Sequence, residues 1–176
     1  MKNIMLVTLT SIFLIVPVLA QSGRPAGDPD YPTVQPKVRF APLHIYLDSG
    51  SRALAAYQFE LKAAPGKPAP AKAGVKIVGV EGGEHKAFKE APYYDNAALH
   101  KSNRIIIAAF NTGLDLPQGR TRIATIHLQI IGEAEPDYEL KLTVAADANA
   151  KDIPAKISFE TRLGEGLRRS GKGEQK

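Results

Sequence analysis

Leu54-Ala55-Ala56-Tyr57-Gln58-Phe59-Glu60-Leu61-Lys62 is the stretch of this chain that most clearly decides its own conformation. Its apolar residues alternate with polar or small ones and share one side of a ribbon with a period of two: Ala55, Tyr57, Phe59 and Leu61. A helix would scatter these side chains around its circumference and leave no apolar stripe to dock. The stretch therefore predicts a half-buried β-strand, which needs a second layer to cover its apolar side.

Short apolar or alternating stretches continue on both sides of it, separated by turn residues. They lie at 38–47, with an interruption at Ala41-Pro42, and at 75–80, 104–110, 122–131, 138–144 and 157–159. Residues 104–110 are apolar on both faces, which predicts a strand covered on both sides. The whole pattern predicts an all-β fold, a two-sheet jelly-roll or immunoglobulin-like sandwich of about eight or nine strands. Within the irregular segment 84–103, Asp95 can cap one helical turn through Leu99.

The two ends of the chain differ in composition from the middle. Residues 1–20 have the pattern of a secretory signal peptide, with Lys2 before an apolar run and a cleavage site near Ala20-Gln21. A retained membrane anchor is the alternative, and only then would the protein meet a membrane. Residues 21–37 form a Pro/Gly-rich linker, 38–162 the domain, and 163–176 a disordered basic tail. The signal peptide predicts a secreted or periplasmic, cell-envelope protein, and with no cysteine in 176 residues its fold does not depend on disulfides.

The charge balance bears on the choice of partners. Much of the formal net charge of +5 comes from Lys2 and from the basic tail, so the predicted domain itself is close to neutral. A domain of this kind has no basic face for a phosphate backbone. The sequence therefore argues against nucleic-acid binding and leaves a protein or a polysaccharide as the partner.

The order of the strands resembles the bacterial cohesin-like module. The resemblance covers roughly 38–159: an aromatic pair, Tyr57 and Phe59, then a strand ending in Val80-Glu81-Gly82, then 104–110, then Gly119 opening a strand of small and apolar residues. The family is similar in fold to cellulose-binding carbohydrate modules, both being jelly rolls. The resemblance implies a non-catalytic extracellular module that binds a protein partner through one sheet face.

Two sets of residues are candidates for the binding site. The first is a sheet face with outward-pointing polar residues beside the 84–103 loop: Gln58, Thr125, His127 and Gln129. The second is the aromatic pair Tyr93-Tyr94, whose planar rings suit stacking on a sugar or a contact in a protein interface. The alternative is that one of the two rings folds back over the end of the sandwich, since large rings are buried on average. The second set defines the alternative function, a carbohydrate-binding module.

Signals for metal binding or catalysis are weak. Residues 147–152 begin like a calcium loop, but Lys151 replaces a ligand and the glycine required at the sixth position is missing. A weaker ion site of different construction, using Asp147 or Asp152, is the alternative. Histidines and carboxylates of the loop have no defined metal or acid/base spacing: Glu81, Glu84, His85, Glu90, Asp95 and His100. The sequence also has no nucleophile elbow, phosphate loop or zinc-protease helix. We therefore expect no enzyme, no metal and no cofactor, with a hydrolase using Glu84 and Asp95 as the weakest alternative.

Overall fold

The computed structural model describes residues 36–69, 71, 73–101, 103–163, 167–172 and 174–175. Side chains are described from 36 to 161, except at 70, 72 and 100–102. The predicted signal peptide at 1–20 and nearly all of the predicted linker at 21–37 lie outside the described residues.

Strands make up most of the described chain, which confirms the all-β prediction. They are β1 Val38–Asp48, β2 Ala56–Ala64, β3 Gly74–Gly82, β4 Tyr93–Tyr94, β5 Arg104–Phe110, β6 Arg120–Ile131, β7 Asp137–Ala146, β8 Lys156–Leu163, β9 Leu167–Lys172 and β10 Glu174–Gln175. A 3₁₀ turn spans Lys86–Phe88, and the α-helix α1 spans Ala97–Lys101. No helix within the described ranges has the length and apolar character that crossing a bilayer requires.

The strands form two sheets. Sheet A has the order β3-β6-β1-β8-β9, and sheet B has the order β10-β7-β2-β5-β4. Without the C-terminal strands β9 and β10, each sheet has four antiparallel strands, and the two sheets pack face to face. The first strand pairs with the eighth, the second with the seventh, the third with the sixth and the fourth with the fifth. This nesting arises when one long antiparallel hairpin is rolled into two layers, as in a jelly roll.

The core lies between the two sheets and is built by alternation. Tyr57, Phe59 and Leu61 of β2 are fully buried, as the period-two pattern of residues 54–62 predicts. From sheet A, alternate residues of β1 and β6 meet them: Leu43, Ile45, Leu47, Ile126, Leu128 and Ile130. Each such side chain contributes about 1.5–3 kcal/mol by leaving water, so the pairing of these two layers dominates the stability of the fold.

Strand β5 differs from its prediction. Its inward residues Ile105 and Ile107 are buried in the core, but Ile106 and Phe110 are exposed on the outer surface of sheet B. The prediction of a strand covered on both sides was therefore wrong. Apolar residues on both faces of a strand favour burial of both faces. Here no element of the described part of the chain covers Ile106 and Phe110 on the outer face of β5.

Pro42 does not divide the first strand in two. It lies within β1 and pairs with His127 of β6, whereas the pairing of β1 with β8 begins one residue later, at Leu43. At Pro42 the strand thus pairs with β6 only. On the β8 side there is no ladder at this position for the missing amide hydrogen to break.

The C-terminal segment also differs from expectation. Its composition predicts a disordered tail over 163–176, yet the described residues form β9 against β8 and β10 against β7. An edge strand leaves a row of backbone donors and acceptors unpaired, and these can hold a neighbouring segment whatever its side chains are. Composition does not report this kind of pairing.

Candidate functional site

The outer surface of sheet B carries a row of side chains that crosses four of its five strands. Tyr93 of β4 pairs with Ala108 of β5, Ala108 pairs with Gln58 of β2, and Gln58 pairs with Val144 of β7. Cross-strand partners project to the same side of a sheet. Since Tyr57 and Phe59 point into the core, these four residues point outward.

Two aromatic rings stand next to each other on this surface. The rings of Tyr93 and Phe110 are nearly parallel, with centroids 6.0 Å apart and an interplanar angle of 11°. Tyr93 is 68% exposed and Phe110 is 65% exposed. Their neighbours toward the middle of the sheet, Ala108 and Ala56, have short side chains, so the rings project above the level of the sheet.

Aliphatic residues extend the exposed aromatic pair. Ile106 on β5 and Val144 on β7 are exposed on the same side. We refer to Tyr93, Ile106, Phe110 and Val144, together with Ala56 and Ala108, as the apolar face. Contiguous apolar surface with a polar rim is typical of an interaction site.

Charged residues bound the apolar face at one end. Arg104 donates two hydrogen bonds to the carboxylate of Glu60, of 2.6 and 2.9 Å. These hydrogen bonds are the main cause that lowers the pKa of Glu60 to about 2, with smaller contributions from the charges of Arg104 and Lys62. Lys62 also lies 3.4 Å from Glu139 on β7. The rim is thus a ladder of paired charges.

Gln58 lies within the apolar face, but its amide and carbonyl groups are hydrogen-bonded to Thr143 on β7. Its side-chain amide donates to Thr143 Oγ1 at 3.1 Å, and the Thr143 hydroxyl donates to the Gln58 carbonyl at 3.0 Å. Of the four polar residues predicted to form the contact surface, Gln58 is the one that lies here.

The other three, Thr125, His127 and Gln129, belong to β6 in sheet A. They project from the opposite surface of the sandwich, so the prediction that they share one face with Gln58 was wrong. Alternation places residues on the outer side of their own strand, but it does not say which sheet the strand joins.

The outer surface of sheet A is occupied by paired polar groups. Thr125 is buried and hydrogen-bonds through Oγ1 to His44 Nδ1 at 3.1 Å. His127 Nε2 lies 3.0 Å from the Glu81 carboxylate. On the same side, Arg120 contacts Glu160 at 2.8 Å and lies 3.7 Å above the ring of Tyr46, in cation–π geometry. This surface combines paired polar groups with the exposed Phe40, whereas the exposed side chains of sheet B include a stacked pair of rings.

Tyr93 and Tyr94 do not act as a pair. Tyr94 pairs with Ile107, is half-buried and packs against the core, whereas Tyr93 points outward. Adjacent residues of a strand project to opposite sides. The prediction that both tyrosines form one exposed binding surface is therefore wrong. The exposed ring beside Tyr93 is that of Phe110.

Three of the candidate metal ligands and acid/base groups accept hydrogen bonds from main-chain amides. His85 Nδ1 accepts from the Ala87 amide at 3.2 Å, and Glu84 accepts from the Arg122 amide at 2.9 Å. Asp95 accepts from the Ala97 amide at 2.9 Å, which confirms its predicted capping role. His100 lies outside the described side chains. Among the described residues, no group of three histidines or carboxylates is placed to hold a metal ion.

The loop that resembles a calcium site is organised by its first residue. Asp147 Oδ1 accepts from the amides of Asn149 and Lys151, at 2.9 and 3.0 Å. This carboxylate oxygen closes the turn.

An open cleft of about 600 Å³ lies between the β1–β2 turn and the start of β8. Its lining comes from residues 48–52 and 154–156. The Ser49 hydroxyl donates to the Arg52 carbonyl at 2.8 Å, so it stabilises the turn and is not oriented as a nucleophile.

The residues that sequence reasoning missed are Ile106, Phe110 and Val144. The signal for the first two was the apolar character of both sides of 104–110, which was interpreted as burial. The chain matches no protein-family model, no curated protein and no solved structure. The resemblance to cohesin-like modules stays an expectation from the sequence.

Proposed function

We propose that this protein is an exported, non-catalytic binding module that recognises a protein partner through the apolar face of sheet B. The observation that carries the proposal is the grouping of four exposed apolar side chains on one face of a four-stranded sheet: Tyr93, Ile106, Phe110 and Val144.

The physical argument is the removal of apolar area from water. Each square ångström buried is worth about 25 cal/mol, and exposed rings are typical anchors of protein interfaces. The Glu60–Arg104 and Lys62–Glu139 pairs would form the solvated rim around them. The outer surface of sheet A also exposes Phe40, but there the ring stands on a surface of paired charges, and the cost of removing these charges from water reduces the gain from covering it. The cohesin-like resemblance supports the same mode, binding through one sheet face.

Partner capture with surface variants tests the proposal. The mature protein is immobilised and exposed to native envelope fractions, next to the Tyr93→Ala/Phe110→Ala variant. Phe40→Ala is the matched control, since Phe40 is 70% exposed and lies on the outer side of sheet A. We expect the identified partner to bind the wild type and Phe40→Ala equally, and the double variant at least about tenfold more weakly. Equal binding by all three chains, or no partner at all, contradicts the proposal.

Carbohydrate binding is the second candidate, and the near-parallel rings of Tyr93 and Phe110 favour it. Aromatic faces can stack on the apolar side of a sugar ring. The aliphatic Ile106 and Val144 and the absence of tryptophan favour the protein partner instead. A glycan array with the wild type and Tyr93→Ala separates the two, since only a sugar-binding protein gives a signal that the variant loses.

Export is part of the proposal, and it depends on the first twenty residues of the sequence. We expect the mature protein to begin near Gln21 and to be found outside the cytoplasm. Intact-mass analysis of protein recovered from the envelope measures this. Full-length protein recovered only from the cytoplasm contradicts it.

A further inference from the structure

The edge of sheet A at β8 is unusual among the edges of the four-stranded sheets. β3 and β7 each have a register shift, and β4 has two residues. β8 has eight residues and pairs with β1 in an unbroken register, from Leu43 opposite Thr161 to Asp48 opposite Lys156. Proteins usually interrupt or charge such edges, because a long regular edge can take up a further strand.

The chain covers this edge with its own C-terminal segment. β9 runs antiparallel to β8, from Leu163 opposite Leu167 to Ser158 opposite Lys172. Leu167 is the one aliphatic residue in the sequence Leu167-Arg168-Arg169-Ser170-Gly171-Lys172. Such a strand gains little from apolar burial and depends mainly on backbone hydrogen bonds, so its local stability is low.

The register places Gly171 and Arg169 of β9 opposite two inward-pointing residues of β8. Phe159 and Thr161 of β8 point into the sandwich, and their partners are Gly171 and Arg169. Glycine offers Phe159 no side chain to pack against. Thr161 is 4% exposed, and its Oγ1 has no hydrogen-bond partner in the described structure. A buried hydroxyl without a partner is uncommon, and a short hydroxyl side chain at the opposite position of the neighbouring strand can hydrogen-bond to it.

We infer that the β8 edge is a strand-acceptor site, in which an extended segment of a partner protein displaces β9 and continues sheet A. The fitting segment runs antiparallel to β8, with a hydroxyl-bearing residue opposite Thr161 and a β-branched apolar residue opposite Phe159. Main-chain hydrogen bonds supply the affinity, and these two side chains supply the selectivity. β9 acts as an internal competitor that keeps the edge covered until such a segment is present.

A pair of capped peptides tests this on the full mature chain. One has the β9 sequence, Leu-Arg-Arg-Ser-Gly-Lys, and the other is Leu-Arg-Thr-Ser-Val-Lys, and binding is followed by fluorescence anisotropy. The Arg169→Pro/Ser170→Pro variant releases β9, because one of two consecutive amides must face β8 in an antiparallel ladder. Lys176→Pro is the control, since it adds a proline beyond both C-terminal strands.

The Thr/Val peptide should bind the released variant about tenfold more tightly than it binds the wild type or Lys176→Pro, because competition by β9 lowers the apparent affinity. It should also bind more tightly than the β9 peptide, and the amides of β8 should gain protection from hydrogen exchange. Equal affinity for all chains, or no saturable binding to any, overturns the inference. Dimerisation of the released variant without peptide overturns it too, since a second copy would then be the occupant.

A second variant keeps the inference testable if the Arg169→Pro/Ser170→Pro variant does not fold. Arg169→Thr/Gly171→Val places the better-fitting residues in β9 itself. We expect it to slow hydrogen exchange of the β8 amides at least about threefold relative to the wild type and to weaken peptide binding. Unchanged exchange overturns the inference.

Discussion

The phenol of Tyr57 in sheet B donates a hydrogen bond of 2.9 Å to the main-chain carbonyl of Ile123 in sheet A. Both residues are buried, so the bond joins the two layers through the core. Tyr57 also stacks on Phe59 and meets the edge of Phe88. Burial raises the pKa of the Tyr57 phenol well above its ordinary value, so it stays a neutral donor.

Replacing Tyr57 with Phe should destabilise the fold by about 1–2 kcal/mol, because the Ile123 carbonyl would remain buried without a partner. Urea denaturation at neutral pH measures the change. Tyr93→Phe is the matched control, since the Tyr93 ring is exposed and its hydroxyl is in water. Equal midpoints for both variants would mean that the inter-sheet bond adds nothing.

Gly82→Ala should cost about 1–3 kcal/mol, whereas Gly79→Ala should be nearly neutral. A Cβ at Gly82 would overlap the main-chain carbonyl oxygens of Lys89 and Glu90, which cannot move aside cheaply. A Cβ at Gly79 would meet the His127 ring at 3.6 Å, an ordinary contact. Thermal unfolding of the two variants distinguishes them, and similar melting temperatures would contradict this reason for the glycine that ends β3.

Glu60 should make the stability depend on pH at the acid end. Hydrogen bonds from Arg104 lower its pKa from 4.5 to about 2. A lowered folded-state pKa stabilises the protein above the unfolded value, and this stabilisation is lost as the pH falls from about 4.5 towards 2.

Glu60→Gln should therefore flatten the fall in stability between these pH values and be slightly less stable at neutral pH. The effect is small, because solvent screens an exposed pair. Denaturation midpoints from pH 7 to 2 provide the measurement. A curve parallel to that of the wild type would contradict the role of this carboxylate.

Two phenylalanines should respond very differently to truncation. Phe59→Ala empties a fully buried site and should cost about 3–5 kcal/mol. Phe110→Ala removes an exposed ring that stacks on Tyr93, and should cost no more than about 1.5 kcal/mol. Denaturant unfolding of both variants checks this. A large loss for Phe110→Ala would mean that the ring serves the fold, and this would weaken the case for the apolar face.

The alternation of inward and outward side chains along β2 and β6 can be predicted from the sequence alone. Tyr57, Phe59 and Leu61 are inward as the period of two requires, and the same rule placed Ile126 and Leu128 in the core. The sandwich followed from counting such stretches. Local chemistry was also readable, since Asp95 caps the helical turn that it was expected to cap.

The site was only partly predictable. The sequence predicts Tyr93, because a ring in an irregular segment suits a binding contact, and Gln58, because alternation points it away from the side of Phe59. Phe110 was assigned to the interior, because an apolar residue in an apolar strand does not reveal whether anything covers it.

The sequence by itself determined which side of each strand is apolar, and with it the class of fold, because side chains alternate along an extended backbone. Tertiary structure alone decided which sheet each strand joins. It placed Gln58 and Thr125 on opposite surfaces, brought Phe110 beside Tyr93 and seated β9 on β8. The reason is that strand pairing uses backbone hydrogen bonds common to all residues, and its order depends on how two whole layers pack.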